Sequence, residues 1–368
     1  MKNSFGTNLQ ITLFGESHGP YIGAVADGLA PGLTVDDDFI RSQLTLRRPV
    51  GAISTGRVEA DEYTIVSGVF NGKTTGTPLC ILIPNTAQRS KDYENGPRIA
   101  RPGHADYAAY CKYHGFEDYR GGGHFSGRIT AGPVAVGAIV IEALRKKGIF
   151  IGTHIERLHD IKDRAFCDLK ADIDKLSVSE FAVLDSAAGE NMKKAVEEAA
   201  AVGDSTGGVL ETAVIGLPAG LGEPWFDTVE GLLSHALFGI PAIKGVQFGA
   251  GFDMVNAMGS EFNDPFRNKD GRIVTTTNHN GGINGGITNG MPVTFRCAVK
   301  PTPSIYTEQK SIEINTGENA DLQINGRHDP AIIHRARVVV DSITALVLYD
   351  ILSGRYGTDW FATDCDMN

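Results

Sequence analysis

Residues 101–132, RPGHADYAAYCKYHGFEDYRGGGHFSGRITAG, concentrate the side chains best suited to handling an anionic small molecule. Arg101, Lys112, Arg120 and Arg128 supply cationic donors, and a guanidinium meets a carboxylate or phosphate with two parallel hydrogen bonds. His104, His114 and His124 bring the side-chain type whose unperturbed pKa falls near neutrality. Gly121, Gly122 and Gly123 let the main chain take positive φ and approach a ligand closely, and Ser126 adds a hydroxyl. The stretch reads as the floor of a site for a phosphorylated, carboxylated molecule. The alternative is a surface loop with glycine turns and solvated charges.

Other segments must bring partners to that floor. Residues 8–14 alternate as a strand and run into Gly15-Glu16-Ser17-His18-Gly19-Pro20, which would present Ser17 and His18 from a rigid element. Residues 36–46 form a helix with acidic residues in its first turn, and it delivers Arg47 and Arg48 at its end. Strands are expected at 62–70, 79–84, 208–218 and 291–299, the last leading into Lys300-Pro301-Thr302-Pro303-Ser304. Helices are expected at 133–147, 188–202, 228–238 and roughly 331–353; the first and last are so apolar that they belong between layers. Segment 278–290, NHNGGINGGITNG, has no periodicity and looks like a ligand-wrapping loop.

The chain of 368 residues carries a formal charge of −10, which argues against a nucleic-acid partner and makes any basic site a local pocket. Five cysteines, Cys80, Cys111, Cys167, Cys297 and Cys365, stand far apart without a C-x-x-C pair, as expected of free thiols in a reducing cytosol. The N-terminus shows no apolar signal region, and the run Ile343–Tyr349 is far shorter than the roughly 20 residues of a membrane span. A soluble, cytoplasmic protein without membrane contact is expected. Without a repeat or a convincing linker, residues 1–368 are expected to form a single domain.

Seven motifs occur in one order: GESHGP at 15–20, RPGHADY at 101–107, DYRGGGHFSGR at 118–128, GLPAGLGEP at 216–224, NHNGGINGGI at 278–287, KPTPSI at 300–305 and GRHDP at 326–330. Together the chain resembles the chorismate synthase family from end to end. The resemblance implies an α+β fold, a β-α-β sandwich with buried helices between antiparallel sheets, assembled as a homotetramer. It implies a lyase that removes phosphate and the C6 hydrogen from 5-enolpyruvylshikimate 3-phosphate to give chorismate, the last common step of the shikimate pathway. It also implies reduced FMN as cofactor; whether NADPH reduces it on this chain or reduced flavin comes from outside stays open.

Residue by residue, His18 matches the family histidine that protonates the departing phosphate. His104 matches the one placed near the flavin ring, and Asp329 the carboxylate that helps carry away the C6 proton. Arg47, Arg101, Arg128 and Arg327, with Ser17 and Ser126, match substrate-binding positions. His124, Phe125 and Ser126, Pro241 and Ala242, Gly285, Lys300 through Ser304 (Pro301, Thr302 and Pro303 between them) and Arg327 match cofactor-binding positions. Crowding so many cations together is unfavourable without ligand, so part of the site is expected to order on binding.

Two departures stand out. After the glycine triplet the commoner family pattern is Arg-Ser-Ser-Ala-Arg, where this chain has His124-Phe125-Ser126-Gly127-Arg128, so Phe125 either packs on the ring or joins the core. Many members also place an arginine where this chain has Ile53, and Arg57 is the candidate substitute. His114 and His328 are read as structural or supporting. The rival functions are a flavin reductase acting alone, which has no need of the arginines around His18, and a non-catalytic binder, which has no use for His18, His104 and Asp329.

Overall fold

The structure, a computed structural model, describes residues 2–49, 51–54, 59–86, 97–324 and 329–362. The first sheet contains β1 (Ser4–Phe5), β2 (Gln10–Gly15), β3 (Tyr21–Asp27), β4 (Thr64–Ser67) and β5 (Leu79–Pro84), in the spatial order β1-β2-β3-β5-β4. The second contains β6 (Phe150–Leu158), β7 (Ile161–Lys162), β8 (Gly208–Ile215), β9 (Ile243–Phe248) and β10 (Val293–Val299), in the order β9-β10-β8-β6-β7. Every pairing within both sheets is antiparallel.

Period-two burial explains how the first sheet faces inward. Leu79, Ile81 and Ile83 of β5 lie opposite Ala26, Ala24 and Ile22 of β3, and all six are fully buried. The small residues of β3 leave room for a helix. A Cβ on Gly132 would stand 2.9 Å from the Gly23 carbonyl carbon, so helix and strand meet almost backbone to backbone. That helix is α3 (Ala131–Lys146), and it packs in the middle layer against α8 (Ile333–Tyr356). The two cross at Gly137, where a Cβ would approach Ser342 Cβ to 2.5 Å. The run 120–146 is long and apolar enough to cross a membrane, yet 83% of its most apolar window is buried inside the fold.

Polar groups on α8 fasten the layers. Asp341 takes a hydrogen bond from Thr153 Oγ1 of β6 at 2.6 Å and pairs with Arg337 at 3.0 Å, and burial raises its pKa against both contacts. Asp350 accepts from the main-chain N–H of Leu9 at 2.8 Å and also from those of Thr7 and Asn8, fixing the approach to β2. β6 is covered on both sides, by α8 within and by α4 (Leu169–Ser177) outside, where Ile173 leaves no space for a Cβ on Gly152.

The remaining helices are α1 (Asp37–Leu46), α2 (Asp106–Tyr113), α5 (Ser186–Ala201), α6 (Val229–Leu237) and the one-turn α7 (Gly259–Phe262). Asp36 caps α1 by accepting from Phe39 N–H at 3.0 Å, as its acidic start predicts. The α+β sandwich with helices between antiparallel sheets is the expected architecture. Two local expectations change. Strand 62–70 breaks at Gly68, whose φ of 85° brings its backbone against Leu79. Segment 278–290 wraps its own chain: Gly281 and Gly282 pack on the backbones of Gly249, Thr294 and Pro292, and a short hairpin pairs Ile283–Asn284 with Ile287–Thr288.

Candidate active site

The sheet end at Gly15 passes straight into Ser17 and His18, both buried. Ser17 staples this turn to the glycine triplet: its N–H donates to Gly123 O at 3.1 Å, and its Oγ donates to Arg120 O at 3.1 Å and Gly121 O at 3.2 Å. Gly121, Gly122 and Gly123 take φ of 58°, 87° and 52° in succession, a path that side chains resist. A Cβ on Gly121 would collide with the His18 ring, and one on Gly122 would press His104 Nε2 and Cε1 at 3.2 Å. The triplet therefore threads between two imidazoles. Beyond it, His124 Nδ1 lies 2.7 Å from Gly15 O; a carbonyl only accepts, so Nδ1 is the protonated nitrogen.

Behind His104 stands Asp106, which none of the sequence motifs singled out as a site residue. It binds Arg101 through Nε at 2.8 Å and Nη2 at 2.7 Å, and its Oδ1 lies 2.7 Å from His104 Nδ1. Burial works against its charge, but the hydrogen bonds from Arg101 and His104 outweigh it and keep the carboxyl well below the usual range.

A second group of cations sits across the site. Arg128 is buried and gives its guanidinium to Asn85 Oδ1 at 2.9 Å, Pro84 O at 3.1 Å, Glu59 at 3.2 Å and Asp61 in a still closer ion pair. Arg47 lies 3.8 Å from Asp61, and its Nε has no hydrogen-bond partner among the described residues. Burial draws the Arg47 pKa down to about 10, with Asp61 opposing the shift. Arg335, at the first turn of α8, donates Nε to Arg47 O at 2.8 Å and pairs closely with Asp329. Three guanidiniums (Arg47, Arg128, Arg335) thus face three carboxylates (Glu59, Asp61, Asp329). Within this cluster of described residues the chain supplies its own counter-ions.

These groups open on a cavity of about 970 Å³. Arg47, His104, Arg128 and Asp329 line it, as do His124, Phe125 and Ser126. Pro241 and Ala242 add to the wall, Ala242 with a left-handed φ of 74°, and so do Lys300, Thr302, Pro303 and Ser304. Phe5, Leu13, Ile240, Val339, Ile343 and Leu346 give it an apolar side. Phe125 meets the edge of Tyr113 at a centroid distance of 6.1 Å while remaining 37% exposed, so it is not a core residue.

Ser17, His18 and Arg101 are outside the cavity lining and stand immediately behind Gly121 and Gly122, each within 4 Å of where a Cβ on one of those glycines would sit. Pro301 is outside the cavity lining, next to Gly207. Gly285 lies in the 283–288 hairpin and is not among the residues lining this cavity. Arg327, His328, Arg57 and Cys365 fall outside the described residues. His114 is exposed and ends α2 in a left-handed conformation, a structural role.

Asp61, Glu59, Asn85 and Arg335 were not visible as site residues in the sequence. The available signal was Glu-Ala-Asp at 59–61, two carboxylates two positions apart ahead of a strand.

The family model described as chorismate synthase matches residues 9–352. The chain belongs to the chorismate synthase family. It is 46% identical over 354 residues to a chorismate synthase of Dehalococcoides mccartyi, covering 95% of this chain and 96% of the relative. It is 44% identical over 350 residues to that of Thermococcus gammatolerans, covering 95% and 97%. A solved structure titled "Crystal Structure of Chorismate Synthase" superposes with a TM-score of 0.75 at 28% identity, over 96% of this chain and 94% of the other. The reaction is the elimination of phosphate and the C6 hydrogen from 5-enolpyruvylshikimate 3-phosphate to give chorismate, a carbon–oxygen lyase step of the shikimate pathway. Membership in chorismate synthase carries a requirement for reduced flavin.

Proposed function

We propose that the 970 Å³ cavity is where this chain binds 5-enolpyruvylshikimate 3-phosphate beside reduced FMN and performs the elimination. The observation that carries the reading is the pair His18 and His104 set on either side of Gly121-Gly122, with His104 and Asp329 both at the cavity wall. The wall also fits a phosphorylated cofactor. Thr302 Oγ1 is buried and without a hydrogen-bond partner among the described residues, and it stands in the cavity-lining run with Lys300 and Ser304. Those three would hold the FMN phosphate, with Pro241, Ala242, His124, Phe125 and Ser126 along the rest of the molecule.

The chemistry a reduced flavin supplies when bound is transient electron density for the C3–O bond that breaks. His18 gives a proton to the departing phosphate, which makes it a better leaving group. Asp329 takes the C6 proton. Arg47, whose Nε is unpartnered among the described residues, accepts a substrate anion, and Arg101, Ser17, Ser126 and Arg327 contribute to the same task. Arg335 joins them as the partner of Asp329. Arg128 shapes the wall, since four of its contacts are already made to the protein. The chain works as one catalytic domain in a cytoplasmic homotetramer, with NADPH as the candidate electron source.

The test is anaerobic incubation of the protein with 5-enolpyruvylshikimate 3-phosphate and dithionite-reduced FMN, following phosphate and chorismate. Product forms only with reduced flavin. Chorismate formed with oxidised FMN and no reductant, or none formed with reduced FMN, overturns the reading.

A further inference from the structure

Asp106 begins α2, two residues after His104, and its side chain is only 12% exposed. Four donors converge on its carboxylate. Arg101 offers its main-chain N–H at 3.0 Å, Nε at 2.8 Å and Nη2 at 2.7 Å, and His104 Nδ1 lies 2.7 Å from Oδ1. Arg101 Nη2 also comes within 3.1 Å of His104 Nδ1, so two hydrogen-bond assignments compete.

If Nδ1 carried no hydrogen it could accept from Arg101, but its lone pair would then face a carboxylate oxygen at 2.7 Å. An ionised carboxylate accepts only, and the two lone pairs would repel. With the hydrogen on Nδ1 the 2.7 Å contact becomes a charge-assisted bond, and the Arg101 approach is mere proximity. Nε2 then points the other way. It is the atom that Gly122 adjoins, and His104 lines the cavity.

We infer that Asp106 is a positioning residue, which keeps the His104 hydrogen on Nδ1 and so makes Nε2 the nitrogen that meets bound substrate or cofactor. With the ring fixed on Asp106 through Nδ1, Nε2 is presented to the cavity side without the ring turning. Arg101 is held by the same carboxylate, and the orientations of these two side chains are coupled. The inference rests on the reading of His104 as part of the active site, and it identifies which ring nitrogen acts and what makes it so.

Nitrogen-15 NMR of histidine-labelled protein tests it without turnover. The His104 signal is identified by its loss in His104→Asn. In the wild type, Nδ1 is expected to be protonated at every pH where the ring is neutral. In Asp106→Asn and Asp106→Ala the Nε2–H tautomer should become populated, and kcat should fall about 10²-fold or more, the scale of losing an acid–base group. Asp106→Glu should recover part of kcat and the wild-type tautomer. A neutral wild-type ring protonated on Nε2 overturns the inference, whatever the variants do. So does an unchanged tautomer in both Asp106→Asn and Asp106→Ala, or unchanged kcat where the tautomer has moved. Failure of the wild type to make chorismate would instead remove the active-site reading and leave the ring measurement standing.

Discussion

Gly121 lies against His18 with no room for a side chain: a Cβ here would fall on the ring's Cε1 and Nδ1. The same residue has φ of 58°, so an L side chain is disfavoured twice over. Alanine at this position must push His18 off its Ser17 contact, where Nδ1 sits 3.3 Å from Oγ. Gly121→Ala is expected to lose about 10²-fold in kcat or more through the displaced acid, and to lose roughly 1–2 kcal/mol of stability through the left-handed backbone. Gly259→Ala is the control, because it is exposed, lies outside the cavity lining, and its added Cβ would meet nothing nearer than Asn263 Nδ2 at 3.9 Å. Equal kcat and thermal midpoint for the two variants would refute the close-contact account.

The glycine triplet and the histidines were legible in the sequence because their function is local: three positive-φ positions and a nearby imidazole can be read within a few residues. The buried helices were legible too, since α3 is apolar on every side and only a middle layer accommodates such a surface. What could not be read were partnerships across the chain. Arg335 meets Arg47 from 288 positions away and Arg128 meets Asp61 from 67, and no periodicity announces either. β6 escaped the sequence reading as well: it is buried on both faces and so lacks the alternation that marks a half-exposed strand.

Arg128 and Arg47 both line the cavity, yet their surroundings predict different defects. Arg128 is bound by Asn85, Pro84, Glu59 and Asp61, so removing it strands buried carboxylates. Arg128→Met is expected to destabilise the fold by about 3–5 kcal/mol, the usual result of breaking a buried ion pair from one side. Arg47 has an unpartnered Nε among the described residues and a looser 3.8 Å approach to Asp61. Arg47→Lys should therefore raise KM for the phosphorylated substrate about tenfold, in line with the loss of a charge-assisted hydrogen bond, with a smaller change in urea midpoint. The reverse ranking of the two variants in denaturation and KM would show that Arg128, not Arg47, serves the substrate.

Arg335 and Asp329 form a close ion pair at the cavity wall, 12% of the Asp329 side chain being exposed. If Arg335 orients the carboxylate that removes the C6 proton, the two residues act as a unit, and effects of residues in one unit are not additive. Arg335→Gln and Asp329→Asn are each expected to lower kcat by about 10²-fold, and the double variant should be scarcely slower than Asp329→Asn alone. Guanidinium added to Arg335→Ala should restore part of kcat. Multiplicative losses in the double variant would separate the residues and assign Arg335 to binding alone.

His334, the residue before Arg335, makes stability depend on pH. It is 1% exposed, its Nε2 is 2.8 Å from Ser54 Oγ, and its ring stacks near Phe181 at 6.0 Å and 27°. Burial, aided by the charge of Arg335, draws its pKa down to about 3. In the unfolded chain the same ring titrates near 6.5. As pH falls below that value the unfolded state takes up a proton that the folded state refuses, so this group's contribution is complete above about 6.5 and declines toward about 3. The slope over that interval approaches about 1.4 kcal/mol per pH unit. His334→Gln keeps an amide able to meet Ser54 but cannot bind the proton. Whatever its thermal midpoint at pH 7, that variant should lose fewer degrees than the wild type between pH 7 and pH 5. Parallel declines would mean that His334 is protonated in the folded state or that its acid sensitivity is masked by other buried groups.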